Sequence, residues 1–253
     1  MRFLLAITAI LSGNLLTQSA LADIPSDEKK TDLVYQTTFG RCPNRPAGEF
    51  ILRLTKTFDE NRSLRDVKKR IVEEKLLPKH FVSEYQMQYD PIRGLVKVTI
   101  DCPEPLMKVE VYKNEQGESY EAVLVDNGEL YDPAYEALLR SEHRLNHELP
   151  SLALPIKEME KEVQKEVTQL IKQVPEQFRR KISEVIVGEE KKLIIILTTR
   201  GQPCSAFLGN DAWDEKIVSL KRIVDGLEGQ NKTAATIDLT NAKKVVVKLK
   251  DNP

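Results

Sequence analysis

The sequence has few of the residues by which many functional classes are recognised. Its 253 residues include one tryptophan, three cysteines and three histidines, and aromatic side chains make up 6%. Proteins that bind single-stranded nucleic acids stack bases on aromatic side chains, so this scarcity argues against that class. The 38 basic and 39 acidic residues are mixed along the chain, without a basic block suited to a phosphate backbone. We therefore predict no nucleic-acid partner.

Long apolar runs are also scarce, and the most informative one lies at the N-terminus. The segment Phe3–Leu11 is mostly apolar, and Ala20 and Ala22 place small side chains where a signal peptidase reads the chain. A membrane-spanning helix needs about 20 continuous apolar residues, whereas polar residues interrupt this run soon after Leu11. The pattern predicts a signal peptide over 1–22, cleaved before Asp23, and a periplasmic or extracellular protein. A retained membrane anchor is the alternative.

The three cysteines are too widely spaced for a CxxC redox or zinc motif. Export would bring them into an oxidising compartment, where a disulfide can form. Cys42 and Cys102 each lie near a predicted strand of the same half of the chain, and we expect these two to pair and Cys204 to stay free. Three unpaired thiols are the alternative, because sequence alone does not establish connectivity.

One pair of residues suggests metal chemistry. His143 and His147 are four residues apart, and on a helix they would share a face and could hold a zinc ion. The glutamate that follows the first histidine in zinc proteases is absent, and the pair precedes Pro150 in a loop-like segment. We expect solvated surface histidines, no metal, no cofactor and no small-molecule substrate. A secreted metal-dependent hydrolase that uses this pair is retained as an alternative.

The first half of the chain predicts a tether and a small α+β unit. Residues 23–48 are polar and contain glycine and proline, which indicates a flexible tether leading into a strand at Phe50–Leu54. Ser63 begins a helix, and Tyr85–Tyr89 and Val96–Ile100 alternate as the two strands of a hairpin.

The second half predicts a mixed sheet with two helices. An apolar stripe at spacings of three and four indicates a long helix from Ile156 through Met159 to Val174, and a similar stripe indicates a second helix from about Asp211. The predicted strands are Val109–Val111, Ala122–Leu124, Val185–Val187, Leu193–Thr198, Ala206–Leu208, Ala235–Leu239 and Lys244–Leu249.

The order of these elements resembles that of the FtsQ/DivIB cell-division family, and Phe50–Ile100 resembles a POTRA domain. The likeness is carried by short motifs in the family's order: Leu95–Ile100 followed by Glu104–Leu106, then Leu124–Gly128, Leu149–Leu152, Leu208–Gly209 and Ile237–Leu239. The resemblance implies an α+β protein with a POTRA-like domain over 49–106 and, over 107–253, a mixed-sheet β domain with two packed helices. The family typically carries a transmembrane helix before POTRA, whereas this chain shows a signal peptide.

The resemblance also implies a function. The family is a non-enzymatic scaffold whose C-terminal strand is joined by an extended segment of a partner. For this chain we expect an envelope scaffold, peripheral to the membrane after signal cleavage, that binds other envelope or divisome proteins. A POTRA-bearing outer-membrane assembly or secretion factor is the alternative.

The predicted binding element is the final strand. High strand propensity at the end of the chain predicts a sheet edge, and flanking lysines would protect it from aggregation. A central strand that belongs to the core is the alternative. The residues expected to bind the partner are Lys244, Val245, Val246, Val247, Lys248 and Leu249.

Overall fold

A computed structural model describes residues 33–112, 119–154, 161–241 and 243–250. Within these ranges the chain forms two β-sheets with helices packed against them, and the α+β fold class is confirmed. The predicted signal peptide lies outside the described residues, as do Ile156 and Met159 of the predicted long helix.

The smaller sheet lies in the first part of the chain and is covered on one face by helices. Its elements are strands Val34–Thr38 (β1), Glu84–Asp90 (β2) and Leu95–Asp101 (β3), and helices Asn44–Asn61 (α1), Leu64–Glu73 (α2) and Leu76–Lys79 (α3). The strand order is β1-β3-β2, with β1 parallel and β2 antiparallel to β3. The predicted hairpin is thereby confirmed. The predicted helix start at Ser63 is also confirmed, since the Ser63 hydroxyl oxygen accepts from the Asp66 N–H at 3.2 Å.

The prediction of a strand over Phe50–Leu54 is wrong, because this segment lies inside α1. Phe50, Ile51, Leu54 and Phe58 are buried at spacings of three and four, as one face of a helix requires. A five-residue apolar window does not distinguish a short strand from a buried helical turn. The spacing of three and four residues continues to Phe58, and this longer pattern identifies the helix.

The prediction of a flexible tether over 23–48 is wrong from Val34 onward. Val34–Thr38 pairs along its whole length with β3, and α1 begins at Asn44. Four of the five residues of β1 are exposed, so the strand lacks the apolar alternation that marks a half-buried strand in a sequence. Its conformation comes from backbone pairing with a strand far along the chain.

The larger sheet has nine strands in the order β12-β11-β10-β9-β8-β7-β4-β5-β6. These strands are Pro105–Tyr112 (β4), Ser119–Val125 (β5), Leu130–Tyr131 (β6), Ser151–Ala153 (β7), Ile182–Val187 (β8), Leu193–Thr199 (β9), Gln202–Gly209 (β10), Ala234–Asp238 (β11) and Val246–Leu249 (β12). Its helices are Ala134–Ser141 (α4), Lys161–Gln173 (α5), Glu176–Arg179 (α6) and Trp213–Gly229 (α7). The predicted strands and the helix near Asp211 are confirmed, whereas α4, α6, β6 and β7 were not predicted.

Helices α5 and α7 pack on one face of the larger sheet. Val167 and Leu170 of α5 and Leu220 of α7 are buried in one aliphatic core with Val185 and Ile195 of the sheet. These helices therefore bury the apolar stripes that predicted them. On each strand the alternate residues face away from this core, as the pleat requires.

The core of the smaller sheet extends into the second half of the chain. Val123 and Val125 of β5 and Tyr135 and Leu139 of α4 belong to the same buried cluster as Phe50 of α1. Side chains from both sides of residue 106 thus share one core. The smaller sheet with its helices, which we call the first lobe, is packed directly against the β5 and β6 end of the larger sheet.

Candidate partner-binding edge

The predicted partner-binding segment lies at one end of the larger sheet. Its strand β12 is the last in the strand order and pairs antiparallel with β11, with Val246 opposite Asp238 and Val247 opposite Ile237. Lys244 and Val245 precede the strand. Among the described residues no further strand pairs with β12, so the alternative of a central strand does not hold there. Outward backbone groups on such an edge can pair with another chain.

The side chains of β12 contribute little to the core. All four residues of the strand are exposed, and Val246 is 48% exposed. The neighbouring strand β11 instead buries Ala234 and Ile237. β11 therefore completes the core, and β12 extends the sheet beyond it.

Lysines surround this edge. Lys243, Lys244 and Lys248 are exposed, and the Lys250 ammonium donates to Oε1 of Gln202 on β10 at 3.2 Å. Positive side chains along an edge oppose pairing between copies of the same chain. They also favour a partner segment that carries acidic residues.

The turn between β11 and β12 is held by side chains that mimic backbone groups. The Asp238 carboxylate accepts from the Thr240 N–H at 2.9 Å and from the Thr240 hydroxyl at 2.7 Å. These bonds from Thr240 hold the pKa of Asp238 below its ordinary value. The Lys243 N–H donates to Oδ1 of Asn241 at 2.9 Å. Asx turns of this kind direct the chain back to form the edge strand.

A buried lysine holds the corner that precedes α7. Lys216 is 6% exposed, and its Nζ donates to the Leu208 carbonyl oxygen at 2.8 Å and to the Asp211 carboxylate. The bond from Lys216 lowers the pKa of Asp211. Trp213 Nε1 donates to the Gly209 carbonyl oxygen at 2.8 Å. The corner positions β10 against α7, and through β10 it positions β11. Sequence reasoning missed Lys216, although its place beside Ile217 on the apolar stripe was a signal.

A disulfide joins Cys42 to Cys102 in the first lobe, with Cα atoms 4.8 Å apart and both residues fully buried. It ties the loop after β1 to the end of β3. Beside it, the Arg41 guanidinium pairs with Asp101 at 3.2 Å and with Glu104 at 3.3 Å. Glu104 also pairs with Arg179 of α6 at 2.5 Å. The disulfide and these ion pairs therefore lie where the first lobe meets the larger sheet.

The third cysteine lies in the core of the larger sheet. Cys204 is a free, buried cysteine on β10. Burial raises the pKa of its thiol. A protonated, inaccessible thiol is a poor nucleophile.

The two histidines do not share a helical face. His143 follows α4 in a turn with φ of 56°, and His147 lies in the irregular segment beyond it. His147 lines a cavity of about 420 Å³ together with Glu176. Burial, followed by the charges of Arg180 and Arg179, lowers the pKa of His147. Over the ranges that the structure describes, no three His, Cys, Asp or Glu side chains cluster as metal ligands.

A comparison with protein-family models identifies the family. The model described as "Cell division protein FtsQ/DivIB, C-terminal" matches residues 112–240. These residues run from the end of β4 through β11 and include both helices packed on the larger sheet. The chain belongs to the FtsQ/DivIB family. A comparison with curated proteins gives no significant match.

Membership of the FtsQ/DivIB family confirms the resemblance that the short motifs indicated. The matched region ends at Thr240, within the turn that joins β11 to β12. The match therefore covers strands β5 to β11 and stops short of the edge strand β12. Across the described ranges, no helix combines the length and hydrophobicity that crossing a bilayer requires.

Proposed function

We propose that this FtsQ/DivIB protein is a non-enzymatic cell-division scaffold that binds an extended segment of another envelope or divisome protein along β12. The observation that carries the proposal is the edge strand, which is paired on one side and exposed at all four residues. In strand addition, backbone hydrogen bonds supply affinity and alternate side chains supply selectivity. The family assignment supports a division scaffold.

The two faces of β12 define the chemistry of the partner segment. Successive side chains of a strand point to opposite faces, so Val247 and Leu249 share one face, and Val246 and Lys248 share the other. Val247 lies opposite Ile237, whose side chain is buried in the core beneath the helices. We expect an apolar partner side chain beside Val247 and an acidic one beside Lys248.

We propose that this binding takes place outside the cytoplasm, with the first lobe as a POTRA-like domain. The N-terminal signal pattern supports export, and disulfides such as Cys42–Cys102 persist in oxidising compartments. N-terminal sequencing of protein recovered from the cell envelope should give Asp23 as the first residue. A start at Met1 together with resistance to carbonate extraction would show a retained anchor.

Two proline substitutions test strand addition. Backbone N–H groups of successive strand residues point to opposite sides, so Val246→Pro and Val247→Pro each remove a different one. One variant should lose the bond to β11, and the other should lose only an outward N–H. We expect the variant that loses only the outward N–H to melt like the wild type in circular dichroism. The same variant should fail to capture the partner from envelope extracts, in which captured proteins are identified by mass spectrometry.

Val246→Thr is the matched control for this experiment. Threonine keeps the backbone N–H, the β-branched shape and the strand propensity of valine. Partner capture should therefore be retained. If both proline variants keep the wild-type melt and still capture the partner, strand addition at β12 is wrong.

A further inference from the structure

The face of the larger sheet opposite α5 and α7 carries apolar side chains at its centre. Strands β8, β9 and β10 each turn alternate residues away from the helices, as the pleat requires. On this face Ile186 lies beside Ile194, Ile194 lies beside Phe207, and Ile196 follows Ile194 along β9. All four side chains are partly exposed, and neither buried cluster includes them. We call Ile186, Ile194, Ile196 and Phe207 the outer-face patch.

The outer-face patch differs from the open face of the smaller sheet. A sheet face that meets only water normally carries polar side chains. The smaller sheet follows this rule, since Gln36, Lys97 and Gln88 lie side by side on its open face and are exposed. Aliphatic side chains are instead typical of a sheet face that packs against a further layer of structure. Neither core of the described residues extends to such a layer.

The width of the outer-face patch fits one helix. Adjacent strands lie about 4.8 Å apart, so Ile186 and Phe207, two strands apart, are separated by about 10 Å. An α-helix with its side chains is about 10–12 Å in diameter. A second sheet would need an apolar face that continues over more strands, whereas Thr236 and Asp238, which follow on β11, are polar.

The charged groups next to the outer-face patch are mainly acidic. Glu184 lies beside Ile196 in the register, and Glu110 of β4 lies opposite Glu121 of β5. The three glutamates line one groove of about 350 Å³ on this side of the sheet. Glu110 accepts from the Ser119 hydroxyl at 2.6 Å. No basic side chain of the described ranges pairs with Glu121 or Glu184.

The basic groups near the groove do not balance these carboxylates. Lys108 and Arg140 both pair with Glu136, at 3.5 Å and 2.7 Å. Four carboxylates and two basic groups therefore leave this end of the face with a net charge of −2. The turn between β8 and β9 holds two acidic and two basic residues and adds no net charge. At the far end, Asp238 and Lys248 offset each other.

We propose that the outer-face patch binds an amphipathic helix of another protein, whose apolar stripe packs on Ile194 and Phe207 and whose basic side chains face Glu184 and Glu121. In this mode of recognition the apolar contact supplies affinity, and the charges supply orientation and selectivity. An anionic membrane surface does not suit an acidic face. The proposal does not depend on strand addition at β12, which lies at the opposite, lysine-flanked end of the sheet.

Fluorescence anisotropy with two labelled synthetic peptides tests the proposal. Both peptides are amphipathic helices of about 18 residues with leucine on one face, and the other face carries lysine in the first peptide and glutamine in the second. We expect the purified protein to bind the lysine peptide at least about fivefold more tightly. The double variant Ile194→Thr and Ile196→Thr should raise the Kd of the lysine peptide about tenfold, because threonine keeps the strand propensity and removes apolar contact.

Glu184→Lys should also raise the Kd of the lysine peptide about tenfold at low ionic strength, since it reverses a charge beside the patch. Its matched control is Glu166→Lys on α5, because Glu166 is exposed on the helix-covered side of the sheet. Val34→Thr is the control for the threonine changes, since Val34 is 60% exposed on β1 of the smaller sheet. Both controls should bind within about twofold of the wild type. Circular dichroism melts check that every variant is folded.

The proposal is overturned if the wild type does not bind the lysine peptide, or if the double threonine variant binds it like the wild type. Equal weakening by Glu184→Lys and Glu166→Lys would also overturn it. A dimer in sedimentation that the double threonine variant dissociates without peptide would identify a second copy as the occupant and contradict the proposal.

The outcome is separable from that of strand addition. The β12 proline variant that keeps the wild-type melt should bind the lysine peptide unchanged. Loss of the peptide in that variant would place its binding site at β12 and overturn the proposal for the outer face. Failure of the outer-face variants to change peptide binding would leave partner capture by β12 unaffected.

Discussion

The two edges of the nine-stranded sheet differ in what covers them. At one edge, β6 has only two residues, and the ring of Tyr131 lies 5.9 Å from that of Phe81 in the first lobe. At the other edge, all four residues of β12 are exposed and lysines flank them. Proteins commonly shorten, cover or charge their sheet edges to prevent association. Here one edge is shortened and covered, while the other is charged and, among the described residues, has no strand paired on its outer side.

Removing the Tyr135 side chain should destabilise the covered edge and cause the largest loss of unfolding free energy. Tyr135 is fully buried, its ring packs against Phe81 and Tyr131, and its hydroxyl donates to the Pro103 carbonyl oxygen. We expect Tyr135→Ala to lower the free energy of unfolding by about 3–5 kcal/mol in urea titrations. Tyr135→Phe should cost about 1–2 kcal/mol, because only the hydrogen bond is lost. Equal effects of the two variants would show that ring packing does not hold this edge.

Removing the disulfide should loosen the lobe that covers β6. Cys42 and Cys102 close a loop with a sequence separation of 60 residues. We expect the double variant Cys42→Ala and Cys102→Ala to lose about 2–4 kcal/mol of unfolding free energy. Cys204→Ala is the control for thiol removal as such, and its melt should not respond to reductant differently from the wild type. A double variant as stable as the oxidised wild type would contradict the prediction.

Mild acid should weaken the same lobe. His80 is buried against Phe50, with ring centroids 5.9 Å apart, and burial, followed by the charge of Arg53, lowers its pKa. The unfolded chain then takes up a proton near pH 6.5 more readily than the folded chain. Stability should therefore be complete above pH 6.5 and fall as the pH drops through this value.

Urea titrations between pH 7.5 and 5.5 check this dependence on pH. His80→Gln should flatten the profile, because glutamine does not titrate. His147→Gln is the matched comparison, because the pKa of His147 is also lowered. A profile unchanged by His80→Gln would assign the dependence on pH to other groups.

The smallest loss of unfolding free energy should come from the edge formed by β12. We expect Val246→Ala to change the free energy of unfolding by no more than about 0.5 kcal/mol, because the side chain is exposed. Tyr131→Ala at the covered edge should cost about 1–2 kcal/mol, since it removes a packed aromatic ring. If Val246→Ala and Tyr131→Ala lowered the free energy of unfolding equally in urea titrations, the two edges would not differ in their contribution to stability.

Elements with a clear period were predictable from the sequence alone. The alternation around Val98 predicted β3, and the helical stripe through Leu220 predicted α7, because each places its apolar residues on one buried face. β1 was not predictable in this way. Four of its five residues are exposed and only Tyr35 is partly buried, so the strand has no apolar alternation that would mark it in the sequence. The five-residue window at Phe50–Leu54 was read with the wrong period.

The candidate site was predicted in part. The segment that became β12 was identified from the run of valines and its lysines, and its place in the strand order is that of an edge. Lys216 was missed although it lies on the apolar stripe, because its acceptors, the Leu208 carbonyl and Asp211, come together around it only in the folded protein. The hydrogen-bonded corner exists only after β10 and α7 have packed together.

The sequence by itself determined which faces of the helices and strands are apolar, because the period of hydrophobic residues is a local property. It also contained the motifs by which the FtsQ/DivIB family was recognised. Only the tertiary structure decided that Cys42 meets Cys102, that Phe81 covers the β6 end, and that β12 has no strand beyond it among the described residues. These outcomes depend on which distant segments pair, and pairing between distant segments is set by the packing of the whole chain.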